Sequence, residues 1–81
     1  MNLYNKGSVE MRTLYDVQQL LKRFGIYLYT GKRLYDIELM EMELIDLHDG
    51  QMLDEDEFVA AHRVLRREYE NELKAQTSRE D

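Results

Sequence analysis

Residues 22–35 carry Lys22, Arg23, Lys32 and Arg33 together with Phe24, Tyr27, Tyr29 and Tyr35, and contain no acid. Cations interleaved with aromatic rings are what a single nucleic-acid strand needs. Lys and Arg meet phosphates, and an unpaired base lies on a ring face for about 1–3 kcal/mol with little regard to its identity. Thr30-Gly31 sits inside this segment just ahead of a helix start, where backbone N–H groups favour an anion. Lys32 and Arg33 fall in the first turn of that helix, where a cation opposes the helix dipole by about 0.3–1 kcal/mol unless an anion is present. Lys22, Arg23, Tyr27, Tyr29, Lys32 and Arg33 are therefore the candidate nucleic-acid-binding residues. A structural reading competes with this one. Lys22 and Arg23 would complement the C-terminus of the first helix, Lys32 and Arg33 would pair with Asp36 or other acids of the second, and the tyrosines would pack.

Immediately afterwards the charge reverses: residues 36–57 hold ten acids and no Lys or Arg. The net charge of −6 thus hides a basic segment beside an acidic helix. The net value argues against indiscriminate adhesion to nucleic acid or to an anionic membrane. The acidic helix reads as a solvated face or, alternatively, as a surface for a basic protein partner. Leu39 and Met42 lie about 140–200° from Ile37 on the helical wheel, off its core side, and are either scattered surface residues or the seed of a partner or homodimer contact.

Metal and catalytic chemistry find less support. Asp49-Gly50, Leu53-Asp54 and Glu57-Phe58 echo the second half of a calcium-binding loop. With Gly50 at the sixth loop position, however, the first and third positions are Ile45 and Leu47, and Glu57 falls one residue late. His48 projects within about 20° of Ile37 and His62 within about 40° of Phe58, so both read as boundary imidazoles rather than ligands. Glu41 would have to join them in a metal site, and nothing in the spacing fixes the approach. Inside the apolar stripe of the second helix, Glu41 demands a partner such as Arg12, Tyr15 or Arg66. Arg63, Arg66 and Arg67 either extend a basic surface or pair along their helix with Glu70. No nucleophile–base spacing, glycine-rich phosphate loop or carboxylate pair with a defined pocket can be identified, so no catalytic residue, metal or cofactor is expected.

Three helices must position these side chains. Thr13 and Asp16 form a capping box ahead of Leu14, Val17, Leu21 and Phe24, predicting a first helix over about 14–24 that stops at Gly25. Residues 26–30 alternate like a strand without a partner and read as an extended connector. The second helix spans about 32–49, with Leu34, Ile37, Met40, Leu44 and Leu47 on one face and Gly50 as its stop. The third, about 55–74, is announced by Asp54 as cap, Glu57 bonding back, and Leu53 stapled to Phe58; Phe58, Ala61, Leu65, Tyr69 and Leu73 form its apolar face. Residues 1–12 read as a flexible N-terminal extension and 75–81 as a polar, frayed tail. An 81-residue chain with no cysteine, no proline and four glycines supports one helical core and no disulfide framework. The expected fold is all-α, a compact three-helix bundle. No signal segment or membrane span is visible, so a cytoplasmic location without membrane association is expected.

Leu14-Tyr15-Asp16-Val17-Gln18-Gln19-Leu20-Leu21, Tyr29-Thr30-Gly31, Arg33-Leu34 and Asp36-Ile37-Glu38-Leu39-Met40-Glu41 resemble the YqgQ family over about Met11 to Lys74. The resemblance implies a three-helix bundle, a small cytosolic protein of Gram-positive bacteria and no established activity, with single-stranded nucleic-acid binding suggested. It also implies that the family pattern starts near Met11, leaving residues 1–10 as an upstream extension, and it brings no catalytic motif. The combined expectation is a non-enzymatic binding protein for single-stranded nucleic acid, or alternatively a protein-interaction adaptor using the acidic second helix.

Overall fold

Thr13 opens the first helix by a reciprocal box. Its hydroxyl accepts from the Asp16 N–H at 3.2 Å, while the Asp16 carboxylate accepts from the N–H groups of Thr13 and Arg12 at 3.1 and 2.9 Å. In the computed structural model, which describes residues 10–79, this helix is α1, Leu14–Lys22. It closes earlier than the apolar spacing predicts. Ile26 N–H donates to Leu21 C=O and Gly25 N–H to Lys22 C=O, with Gly25 in the left-handed region at φ 78°. That bond pair ends a helix on the residue free of a Cβ penalty.

Helix α2 spans Arg33–Asp49 and α3 spans Glu55–Arg79. The turn between them has the same hydrogen-bond pattern one residue later than the glycine: Met52 N–H reaches Leu47 C=O and Gln51 N–H reaches His48 C=O. Gly50, expected as the stop residue, keeps φ −82°, and Gln51 takes the left-handed value of 60°.

Two expectations about α3 need correction. The Asp54 carboxylate makes no hydrogen bond among the described residues, and the Glu57 carboxylate, which would bond back, pairs with Arg23 at 2.9 Å instead. Leu53 is buried and Phe58 packs against the same core. Furthermore, α3 continues past Lys74 to Arg79: no glycine or proline interrupts it, and the Gln76 amide and Thr77 hydroxyl bond back to Glu72 and the Leu73 carbonyl. Leu73, expected in the core, is 45% exposed. The first residue of α2, Arg33, is level with Glu68 and Glu72, so little of α2 remains to cover α3 beyond them.

The three helices enclose one core of Leu14, Val17, Leu20, Leu21, Ile37, Met40, Leu44, Leu47, Leu53, Ala61, Val64 and Leu65, with α2 and α3 sharing the larger interface. No strand occurs among the described residues, and the chain is an all-α three-helix bundle. None of its described helices is long and apolar enough to cross a membrane. Residues 1–9 of the expected extension lie outside the described residues. Its last part is not loose: Met11 packs against the core, and the Arg12 carbonyl accepts from Arg67.

Candidate nucleic-acid interface

Residues 26–30 cross from α1 to α2 with burial alternating along the chain. Ile26 and Leu28 pack against the core, whereas Tyr27 and Tyr29 are 72% and 82% exposed. Period-two alternation puts the two tyrosines on one side of an extended segment. They border a groove of about 360 Å³ whose floor is Leu21, Ile26, Leu28 and Met40 and whose rim includes Lys22 and Gln18.

The connector is held at its far end by Asp36, the one buried charged residue among those described. One carboxylate oxygen accepts both the N–H and the hydroxyl of Thr30, each at 2.7 Å, and the Thr30 hydroxyl accepts from Lys32 N–H at 3.2 Å. Gly31 makes the turn at φ 89°. Asp36 thus gives the first turn of α2 its favourable negative charge, and no external anion is required there. The expected pairing of Lys32 and Arg33 with Asp36 does not occur, because Thr30 occupies it.

The six candidate residues divide. Arg33 reaches across to α3, with Glu68 at 3.1 Å and Glu72 at 3.9 Å, rather than to the acids of α2. Arg23 pairs with Glu57 at 2.9 Å and lies 5.7 Å from the centroid of the Phe24 ring, away from the tyrosines in a separate groove with Asp16 and Gln19. Both guanidiniums are therefore spent on joining helices. Lys22 and Lys32 are in no ion pair among the described residues. Lys22 shares the tyrosine groove; Lys32 and Arg33 line a second groove of about 540 Å³ with Tyr35, Glu72 and Gln76. Gln18 joins the tyrosine groove, and its place one turn before Lys22 on α1 is the signal in the sequence that marks it.

Glu68 is partly buried, and burial alone would raise its pKa; hydrogen bonds from Arg67 and Arg33 outweigh that and hold it below the ordinary carboxylate value. Arg67 bonds to Glu68 at 3.0 Å, not to Glu70. Glu41 finds its partner in His62 at 2.8 Å rather than in Arg12, Tyr15 or Arg66. His48 bonds to Glu55 at 2.7 Å, and both imidazoles stack with the Phe58 ring, with centroids 3.8 and 5.6 Å away. Among the described residues no group of three His, Cys, Asp or Glu side chains converges on a point that would hold a metal ion.

A family described as YqgQ-like matches residues 11–71. A Bacillus subtilis (strain 168) protein bearing the name Uncharacterized protein YqgQ is 47% identical over 60 residues, covering 74% of this chain and 84% of the relative. The match spans all of α1 and α2 and most of α3, and with them every candidate residue.

Proposed function

We propose that the chain, which belongs to the YqgQ-like family, is a cytoplasmic, non-enzymatic binding protein for single-stranded nucleic acid. Its contacts are Lys22, Tyr27 and Tyr29, with Lys32 at the far end of the connector. The observation that carries this reading is the pair of exposed rings beside a lysine that is in no ion pair among the described residues. A tyrosine in a small bundle ordinarily half-buries its ring and keeps only the hydroxyl wet. Here two rings stand open on one side of a segment whose intervening residue is anchored in the core. Two residues of extended chain advance about 6.4–6.8 Å, twice the 3.4 Å spacing of stacked bases, so each ring meets a base without crowding the other. Duplex bases cannot present their faces this way.

Arg23 and Arg33 are held by carboxylates, so the charge available for phosphates is that of two lysines rather than four cations. On the single-strand coefficient, two contacts give a slope of log affinity against log salt of roughly −1.4, and binding is correspondingly weak. The test is fluorescence anisotropy with labelled oligonucleotides at low salt. Single strands should bind better than duplexes, Tyr27→Ala and Tyr29→Ala should each lose several-fold in affinity, and Lys22→Ala should flatten the salt slope. Arg23→Ala should leave binding unchanged. Absence of binding by the wild-type protein, or equal binding by both tyrosine variants, would remove this function.

A further inference from the structure

Helix α2 has two apolar faces, and the bundle covers only one. Ile37, Met40, Leu44 and Leu47 are buried, while on the outer side Tyr35, Met42 and Ile45 are 59%, 62% and 39% exposed and Leu39 is half-buried between them. Leu39, Met42 and Ile45 fall on one three-residue ridge, and with Tyr35 they form a strip about 15 Å long. A single exposed apolar residue means nothing. A helix at the edge of a small bundle normally turns a polar face outward, however, and four large apolar side chains on that face call for a cover.

The carboxylates sort in the same way. Acids turned toward the neighbouring elements are engaged, Glu41 by His62, Glu55 by His48 and Glu57 by Arg23. The acids of the outer half, Glu43, Asp46 and Asp49, are in no ion pair among the described residues, whereas Glu38 turns to α3, where it accepts the Tyr69 hydroxyl at 3.3 Å. No Lys or Arg occurs between residues 34 and 57 to compensate them. A second copy of this chain is a poor cover, since it would set carboxylate against carboxylate. The complement is an apolar stripe bordered by cations.

We propose that the outer face of α2 is a docking surface for a lysine- or arginine-rich amphipathic helix of a partner protein. Its apolar stripe would lie on Leu39, Met42 and Ile45, and its cations would meet Glu43, Asp46 and Asp49. The unbranched Met42 side chain adapts to whatever apolar groups arrive, and a helix is the element whose ridges match this strip. This face is separate from the tyrosine groove, so the two sites fail or succeed independently.

The experiment titrates the isotope-labelled full chain with three synthetic helical peptides of about five turns. One has a leucine face and a lysine face, one keeps the leucines and replaces the lysines by glutamates, and one keeps the lysines and replaces the leucines by glutamines. The first should bind saturably, with amide shifts centred on residues 38–49. Affinity should fall roughly tenfold with Met42→Ser and with the Asp46→Asn/Asp49→Asn double variant, and should be unchanged by Tyr27→Ala. These positions are exposed, so the variants keep the fold, which the amide spectrum verifies. Equal binding of the lysine–glutamine peptide would reduce the face to general electrostatics and overturn the proposal. So would shifts centred on another helix, or a dimer in sedimentation that Met42→Ser dissolves.

Discussion

Asp36 holds Thr30 twice with a single carboxylate oxygen, 2.7 Å from its backbone N–H and 2.7 Å from its hydroxyl. The contact fixes the end of the tyrosine connector to the first turn of α2, and so sets where Tyr29 stands relative to Lys32. Hydrogen bonds to a charged, buried acceptor contribute about 1.5–3 kcal/mol. Asp36→Ala is expected to lower stability by about that amount in urea unfolding, and to weaken oligonucleotide binding beyond any loss of fold. An unchanged urea midpoint would show that the connector holds itself.

The helix starts differ in their dependence on caps. Thr13→Ala removes a complete capping box and should cost about 1 kcal/mol. Asp54→Ala, at the start of α3, removes a carboxylate without a hydrogen bond and should stay within about 0.5 kcal/mol. Paired urea titrations of the two variants test the order; the reverse order would restore the capping box to α3.

Gln51 supplies the left-handed residue that Gly50 precedes by one position. A residue with a Cβ in that region costs about 1 kcal/mol or more, so Gln51→Gly should raise the thermal midpoint. Gly25→Ala should do the opposite, since a methyl group there meets open space but the φ of 78° remains unfavourable. A Gln51→Gly protein less stable than wild type would contradict this account of the turn.

Acid should weaken the fold through two carboxylates. Hydrogen bonds from the Arg12 and Thr13 N–H groups hold Asp16 below its ordinary value, and the guanidiniums of Arg67 and Arg33 do the same for Glu68 against the opposing effect of burial. A carboxyl with a lower pKa folded than unfolded binds fewer protons in the native state. Its stabilisation is complete above the unfolded value near about 4 and is lost as pH falls through the native one. Urea midpoints measured from neutral pH downward should fall in that window, and less steeply for Asp16→Asn. Identical slopes for the variant and wild type would remove Asp16 from this linkage.

Patterns confined to one helix were legible in the sequence, and pairings between helices were not. Val17, Leu21, Ile37, Met40, Ala61 and Leu65 follow from helical spacing, and the Thr13–Asp16 box from the residues at its two ends. The partners of Arg23, Arg33 and Glu41 lie 34, 35 and 21 residues away, on α3. No rule of three- and four-residue neighbours reaches them, and they decide which candidate cations remain available. The end of α3 is illegible for a different reason: polar residues without glycine or proline lower the apolar signal while leaving helix propensity intact. The tyrosines could be placed on one side of the connector by alternation, but only the packing of Ile26 and Leu28 shows which side faces outward.

With nine residues, α1 is below the length at which a helix holds itself in water, about 12–15 residues, whereas α2 and α3 both exceed it. The bundle is accordingly a long helical hairpin to which a short helix and its tyrosine connector are fastened. In amide hydrogen exchange the fastened part should open as a unit of its own, at lower free energy than the hairpin. A strand lying across the tyrosines would then act as a clasp, slowing exchange in α1 and residues 26–30 far more than in α3, so binding could be located from protection alone.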